Sequence, residues 1–297
     1  MKAQRPHDRW FLGSLAALTL VAGLGVGAIV GGPALYLGSA IGVGGAAGLA
    51  LALRRRTQRR RAVLASPFAP AWRALLEGRY DHFLRLPESL KTPFEDDTRV
   101  FLAEKRITGV EVEVTDELRV LVAASAVTLS LGWPEYEWDQ LTEVLLYPQD
   151  FGRDYSFEEA ELSGQAHPWG TVIISVPALI ESFADPDDGF HVGLHEFAHL
   201  LGLEQARFSG MPAGVGSGAE WFDLVEREMD RLHRRKSALD PYGEESPAEF
   251  LAVAVETFFE TPLVLRRRHR ELYDVLAAYF RQDPAAWDDE RGLWVPR

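Results

Sequence analysis

The stretch "HVGLHEFAHLLGL", residues 191–203, carries His-Glu-x-x-His at His195, Glu196 and His199. On a helix, positions i and i+4 lie on one face, close enough for two imidazoles to hold one divalent cation. Glu196, next to the first histidine, is then within reach of the water such a metal would activate, as a general base. The residues between and after these three, Phe197, Ala198, Leu200, Leu201 and Leu203, make the helix apolar almost all round, which implies burial. Two imidazoles and a carboxylate inside an apolar helix need polar partners, and one Zn²⁺ ion supplies them. The 297-residue chain has no cysteine, so any zinc must be held by imidazole and carboxylate.

A hydrolytic zinc site takes three protein ligands and leaves one position for water, so one ligand remains to be found downstream. Glu204, Glu220, Asp223 and Glu249 are the candidates. Glu204 lies about 180° from His195 on a continuing helix and would need a break at Gly202. Glu220 and Asp223 begin the amphipathic segment "SGAEWFDLVEREMDRLHRRK", where a cap behind Ser217 and a solvated face account for them. Glu249 stands in "YGEESPAEFLAVAVETFF", where Ser246 and Pro247 fit a helix start and Glu249 fits the third position of a capping box. Because an apolar helix follows, its carboxylate is carried towards the core, where an unpaired charge is costly. Glu256, nearly two turns on, shares that face and can accept the ring N–H of a ligand histidine.

The elements around these residues are mostly helical. "EDDTRVFLAEKRI" and "TDELRVLVAASAVTLSLGW" have apolar residues at helical spacing, with Thr115 as N-cap of the second. "GVEVEV", "EVLLYP" and "GTVIISV" read as strands, so the expected fold class is α+β with a small sheet.

The N-terminus is different in kind. Residues 10–53 contain no charged side chain and are interrupted by Gly31, Gly32 and Pro33, as expected of two lipid-spanning helices, about 11–30 and 34–53, joined by a tight turn. Basic residues flank both sides, which places both flanks in the cytoplasm of a bacterium and the hairpin in its inner membrane. The expected organisation is a membrane hairpin with an arginine-rich flank over 1–65, a connector over 66–90 and a domain with the hydrolytic zinc site over 91–297. Residues 1–65 hold nine of the 31 Lys/Arg and one of the 44 Asp/Glu, leaving 22 bases against 43 acids in the rest. So acidic a domain is a poor partner for phosphates, which excludes direct nucleic-acid binding.

His195-Glu196-Phe197-Ala198-His199, then Tyr242-Gly243, Pro247-Ala248-Glu249-Phe250 and "ETFFETP", resemble the zinc-dependent peptidase family of Mlc titration factor A. That family is in turn similar to the catalytic domain of anthrax lethal factor. "FLAEKRITGV", "VTDELRVLVAASA" and "HRELYDVLAAYFRQDP" extend the resemblance over roughly residues 85–285. It implies a zincin-like, gluzincin fold, with His195, His199 and Glu249 as zinc ligands, Glu196 as base and Tyr242 as the phenol that stabilises the oxyanion. It also implies a peptide or protein substrate and, as an alternative role, a regulatory protein partner, because a member binds and titrates a transcriptional repressor. By analogy with other zinc peptidases, "GTVIISV" is expected to be the edge strand along which a peptide pairs. The chain departs from the family at Gly202, where an aspartate is usual, so a hydrogen bond must come from elsewhere, with Glu204 and Glu256 as candidates.

Overall fold

The computed structural model describes residues 33–133, 136–152, 162–206 and 218–290. The chain divides into two compact units, residues 1–67 and 68–297.

In the first unit, helix α1 spans Pro33–Ala65. No glycine or proline lies between Leu53 and Ala65, so nothing ends the helix where the apolar run ends, and it continues through the arginines. The helix covers the expected stretch of about 34–53 and runs on to Ala65. The other expected span, about 11–30, lies outside the described residues. Among the described residues no helix is long and apolar enough to cross a membrane, so the hairpin has no support here.

The second unit begins with α2 (Pro70–Arg79), α3 (Asp81–Arg85) and α4 (Glu88–Glu104). The stretch expected to be a connector is packed into this unit from Phe68 onward: Leu76, Tyr80, Phe83 and Leu86 are all buried in its core. The Tyr80 hydroxyl lies 2.7 Å from Thr128 Oγ1 on α5 (Asp116–Ser130). Thr115 caps α5 as expected, its hydroxyl accepting the Leu118 N–H. Almost every side chain of α5 from Leu118 onward is buried, so this helix is the centre of the unit.

The sheet has four strands, β1 (Arg106–Gly109), β2 (Glu143–Tyr147), β3 (Gly164–Ala166) and β4 (Thr171–Ser175), in the order β1-β2-β4-β3. The first three in that order run parallel and β3 runs antiparallel to β4, pairing Gly164 with Ile174 and Ala166 with Val172. Two expectations are corrected. The alternating "GVEVEV" is not the first strand, because the chain reverses after Gly109: Glu111 has φ 58°, and a Cβ on Gly109 would lie 2.0 Å from the Val112 carbonyl oxygen. "GTVIISV" is central rather than an edge; β3, too short to be read from a pattern, is the edge.

After β4 come α6 (Val176–Ala184), α7 (Val192–Ala206), α8 (Gly218–His233), a 3₁₀ turn (Pro241–Glu244) and α9 (Pro247–Glu260). Helices α10 (Pro262–Arg268), α11 (Arg270–Phe280) and α12 (Pro284–Glu290) complete the described chain. Helix α7 packs between α5 and α9, with β3 and β4 against it. It approaches α5 closely at Gly193, where a Cβ would come within 2.3 Å of Ser125 Oγ. Phe197, fully buried, packs against Trp138 and Phe101. The unit is thus α+β, mostly helical with a small mixed sheet.

Candidate metal centre

Helices α7 and α9 bring the site together. Successive turns of α7 are anchored in apolar core by Leu194, Phe197, Ala198 and Leu201, so the histidines on its remaining face are held rigidly. His195 Nε2 and His199 Nε2 are 3.0 Å apart, and Glu249 Oε2 lies 3.0 Å from the first and 3.1 Å from the second. Three atoms that each carry a lone pair converge on one point. Such a triangle is repulsive unless protons or a cation sit among its members, and two imidazoles with a carboxylate are the donor set of a catalytic zinc site. Among the described residues this is the one group of three histidine or acidic side chains with ligand atoms so close, all within 4.8 Å.

Glu249 reaches that point because α9 starts where it does. Ser246 is the N-cap, its hydroxyl accepting the Glu249 backbone N–H at 3.1 Å, and Pro247 is the first helical residue. The backbone N–H of Glu249 is capped by Ser246, while its carboxylate faces the histidines rather than closing a capping box. Glu256 lies two turns on and is 2 % exposed. Its Oε1 is 2.6 Å from His195 Nδ1 and its Oε2 accepts the His191 N–H at 2.6 Å. The carboxylate thereby fixes the His195 ring with Nε2 turned to the ligand cluster.

Glu196 lines the same cavity as the three clustered residues, its carboxylate against Gly164 of β3. It is 4 % exposed, and its Oε2 is buried without a hydrogen-bond partner. Burial pushes its carboxyl up to about 7. Burial would lower His195, but its hydrogen bonds to Glu249 and Glu256 outweigh that and raise it to about 10. For Glu249 burial acts upward, and the hydrogen bonds from His195 and His199 bring it down to about 2. His191 is pushed down to about 3 by burial, which suits its ring: Nδ1 accepts the Leu194 N–H at the start of α7.

Tyr242, on the 3₁₀ turn, is 43 % exposed with its ring 5.9 Å from that of His195. His195, Glu196, His199, Tyr242 and Glu249 all line one cavity of about 580 Å³, whose far wall is β3. The other candidate ligands are not in the cluster. Helix α7 runs unbroken through Gly202, so the bend that Glu204 would require is absent. Glu220 and Asp223 are exposed on α8, and Ser217 lies outside the described residues.

The family model described as glucose-regulated metallo-peptidase M90 matches residues 54–281. The chain belongs to this metallopeptidase family. The chain is also similar to an uncharacterized protein of Synechocystis, 29% identical over 236 residues that cover 73% of this chain and 86% of the relative. Mlc titration factor A of Pectobacterium atrosepticum is 30% identical over 210 residues, 63% of this chain and 77% of its own length. Mlc titration factor A of Edwardsiella ictaluri is 28% identical over 221 residues, 67% and 82% of the two chains.

Two parts of this candidate site carry almost no signal in the sequence. Gly164 of β3 lies directly on the Glu196 side chain, so close that a Cβ there would be 2.4 Å from Oε1. A glycine inside "SGQA", shortly before a Trp-Gly turn, is the one sequence hint of such an approach. The second is the apolar wall that α8 gives the cavity through Trp221, Phe222 and Val225.

Proposed function

We propose that this chain is a zinc-dependent peptidase of the gluzincin type that hydrolyses peptide bonds with Glu196 as general base. The observation that carries the proposal is the convergence of His195 Nε2, His199 Nε2 and Glu249 Oε2 beside the buried carboxylate of Glu196. Held by those three residues, a single Zn²⁺ would polarise the scissile carbonyl and acidify a water molecule. Glu196, lacking a hydrogen-bond partner at Oε2, accepts the proton of the attacking water and passes it to the leaving amine. Glu256 keeps His195 oriented through Nδ1. Tyr242 donates its phenolic proton to the developing oxyanion, a contribution of about 3 kcal/mol where such donors are preorganised. An extended substrate adds along β3, the sheet edge that lines the cavity with Gly164, Gln165 and Ala166.

The test is metal analysis and turnover of the full-length chain, wild type against Glu196→Gln. The variant is expected to keep its metal and lose hydrolysis of casein or an aminoacyl anilide; equal turnover overturns the proposal. Sequestration of a repressor without hydrolysis has no observation in its favour, since a scaffold has no use for a buried Glu196.

Placement at the bacterial inner membrane, with the catalytic unit in the cytoplasm, rests on the sequence alone: the charge-free residues 10–53 and their basic flanks. Fractionation of the wild-type protein checks it, and recovery in the soluble fraction at low salt overturns it.

A further inference from the structure

We infer that the cleft selects peptides with a bulky apolar side chain beside the scissile bond and a lysine or arginine two to four residues further along. The inference rests on the peptidase reading and adds its substrate class. Beyond the ligand cluster, the 580 Å³ cavity is walled by Ala198, Trp221, Phe222, Val225 and Leu251. Phe222 is 61 % exposed, an aromatic ring left at the mouth of the chamber where a substrate side chain would cover it. A leucine or phenylalanine side chain buried there gains on the order of 2 kcal/mol over a glycine, whereas a charged one would lose its hydration without a partner.

The chamber does not end at Phe222. A second recess of about 450 Å³ shares Phe222, Val225 and Pro247 with it and continues to Glu226, Met229, Asp230 and His233 on α8 and to Glu244 on the 3₁₀ turn. Positions 222, 225, 226, 229, 230 and 233 recur at intervals of three and four, so one face of α8 forms the floor of both recesses. The lining changes along it from apolar to acidic: three carboxylates and one histidine, with no lysine or arginine among the described residues. Asp230 is paired with Arg234 at 2.8 Å, and Glu244 Oε2 lies 3.5 Å from His233 Nδ1 while its Oε1 is buried with no hydrogen-bond partner. The 22 bases against 43 acids of the chain after residue 65 set a field of the same sign.

The distance between the two zones sets the spacing. Along a helix axis at 1.5 Å per residue, Asp230 is about 7.5 Å from Val225 and about 12 Å from Phe222. An extended peptide covers that in roughly two to four residues at about 3.3 Å each.

The test uses the full-length, zinc-loaded chain and fluorescence-quenched peptides that vary the apolar residue (Leu, Phe, Gly or Asp) and a second position three residues away (Lys or Glu), in both chain directions. Expected are a tenfold or greater kcat/KM advantage of Leu or Phe over Gly and Asp, and a tenfold advantage of Lys over Glu in one direction. In the double variant Glu226→Lys/Asp230→Lys the charge preference disappears while the apolar preference persists. Equal rates for Lys and Glu peptides, or a charge preference unchanged in the double variant, overturn the inference. Should the wild type cleave none of the peptides, the peptidase reading fails by itself. Anisotropy titration of the same peptides against Glu196→Gln still ranks them: the same order of affinities supports the selection, and equal affinities overturn it.

Discussion

The carboxylate of Glu256 bridges the start of α7 and the first histidine of the cluster: Oε2 takes the His191 N–H at 2.6 Å and Oε1 lies 2.6 Å from His195 Nδ1. Both oxygens are used, and both bonds are buried. Helix start and ring orientation are therefore set by one side chain, on a different helix from the one it steadies.

That arrangement makes Glu256→Gln informative. The amide keeps one acceptor and turns an NH₂ towards the other donor, so one of the two bonds is lost and the His195 ring is free to turn. The expected outcome is a 10–100-fold loss of zinc affinity, read by competition with a chelating dye, in a protein that stays folded by circular dichroism. Unchanged affinity would remove Glu256 from the ligand support.

Gly164 sits against the base rather than the ligands. A methyl group there would meet Glu196 at Oε1, Cγ and Cδ, at 2.4, 2.6 and 2.7 Å. Because the backbone of β3 is tied to β4, the carboxylate is the part that shifts. Gly164→Ala is expected to lower kcat on the order of 100-fold with zinc content unchanged. A normal kcat would mean that Glu196 has room the geometry denies it.

The chemistry was more legible in the sequence than the architecture. His195, Glu196 and His199 are local, since helical spacing alone decides whether they meet, and the helix that follows Glu249 carries Glu256 to the same face. The strand at Arg106–Gly109 was hidden because its boundary depends on a backward turn at Glu111, which alternating valines and glutamates do not signal. Strand β3 has three residues and exists only through its pairing with β4, a contact that no local pattern encodes. Residues 66–90 look like a link because their helical stretches are short and broken by Pro67, Pro70 and Pro87, yet Leu76 and Phe83 are fully buried against the rest of the unit. The face of α8 that lines the cavity looks solvated in sequence, since it is bounded by charge.

Ser246 separates the two duties of the α9 start. Its hydroxyl accepts the Glu249 N–H, while Pro247 presets the first turn without it. Ser246→Ala is expected to cost about 1 kcal/mol in urea unfolding. Zinc affinity is expected to fall by less than tenfold, because the carboxylate stays on the same turn. A larger loss of affinity than of stability would show that the cap positions the ligand directly.

Glu260 offers a pH signature away from the ligands. It is 5 % exposed, its Oε2 has no hydrogen-bond partner, and burial, with the nearby charges of Asp188 and Glu256, pushes its carboxyl up to about 10 from an ordinary 4.5. A folded-state value above the unfolded one means that the stability associated with the protonated group is fully present below about 4.5 and is lost as pH rises towards 10. Glu260→Gln removes that proton dependence while keeping the shape. The variant is expected to match the wild type near pH 4 and to exceed it increasingly above pH 5, by on the order of 2 kcal/mol at pH 8. Urea unfolding of both proteins across this range measures the difference. A gap that stays constant with pH would show that Glu260 ionises in the folded protein as freely as in the unfolded chain.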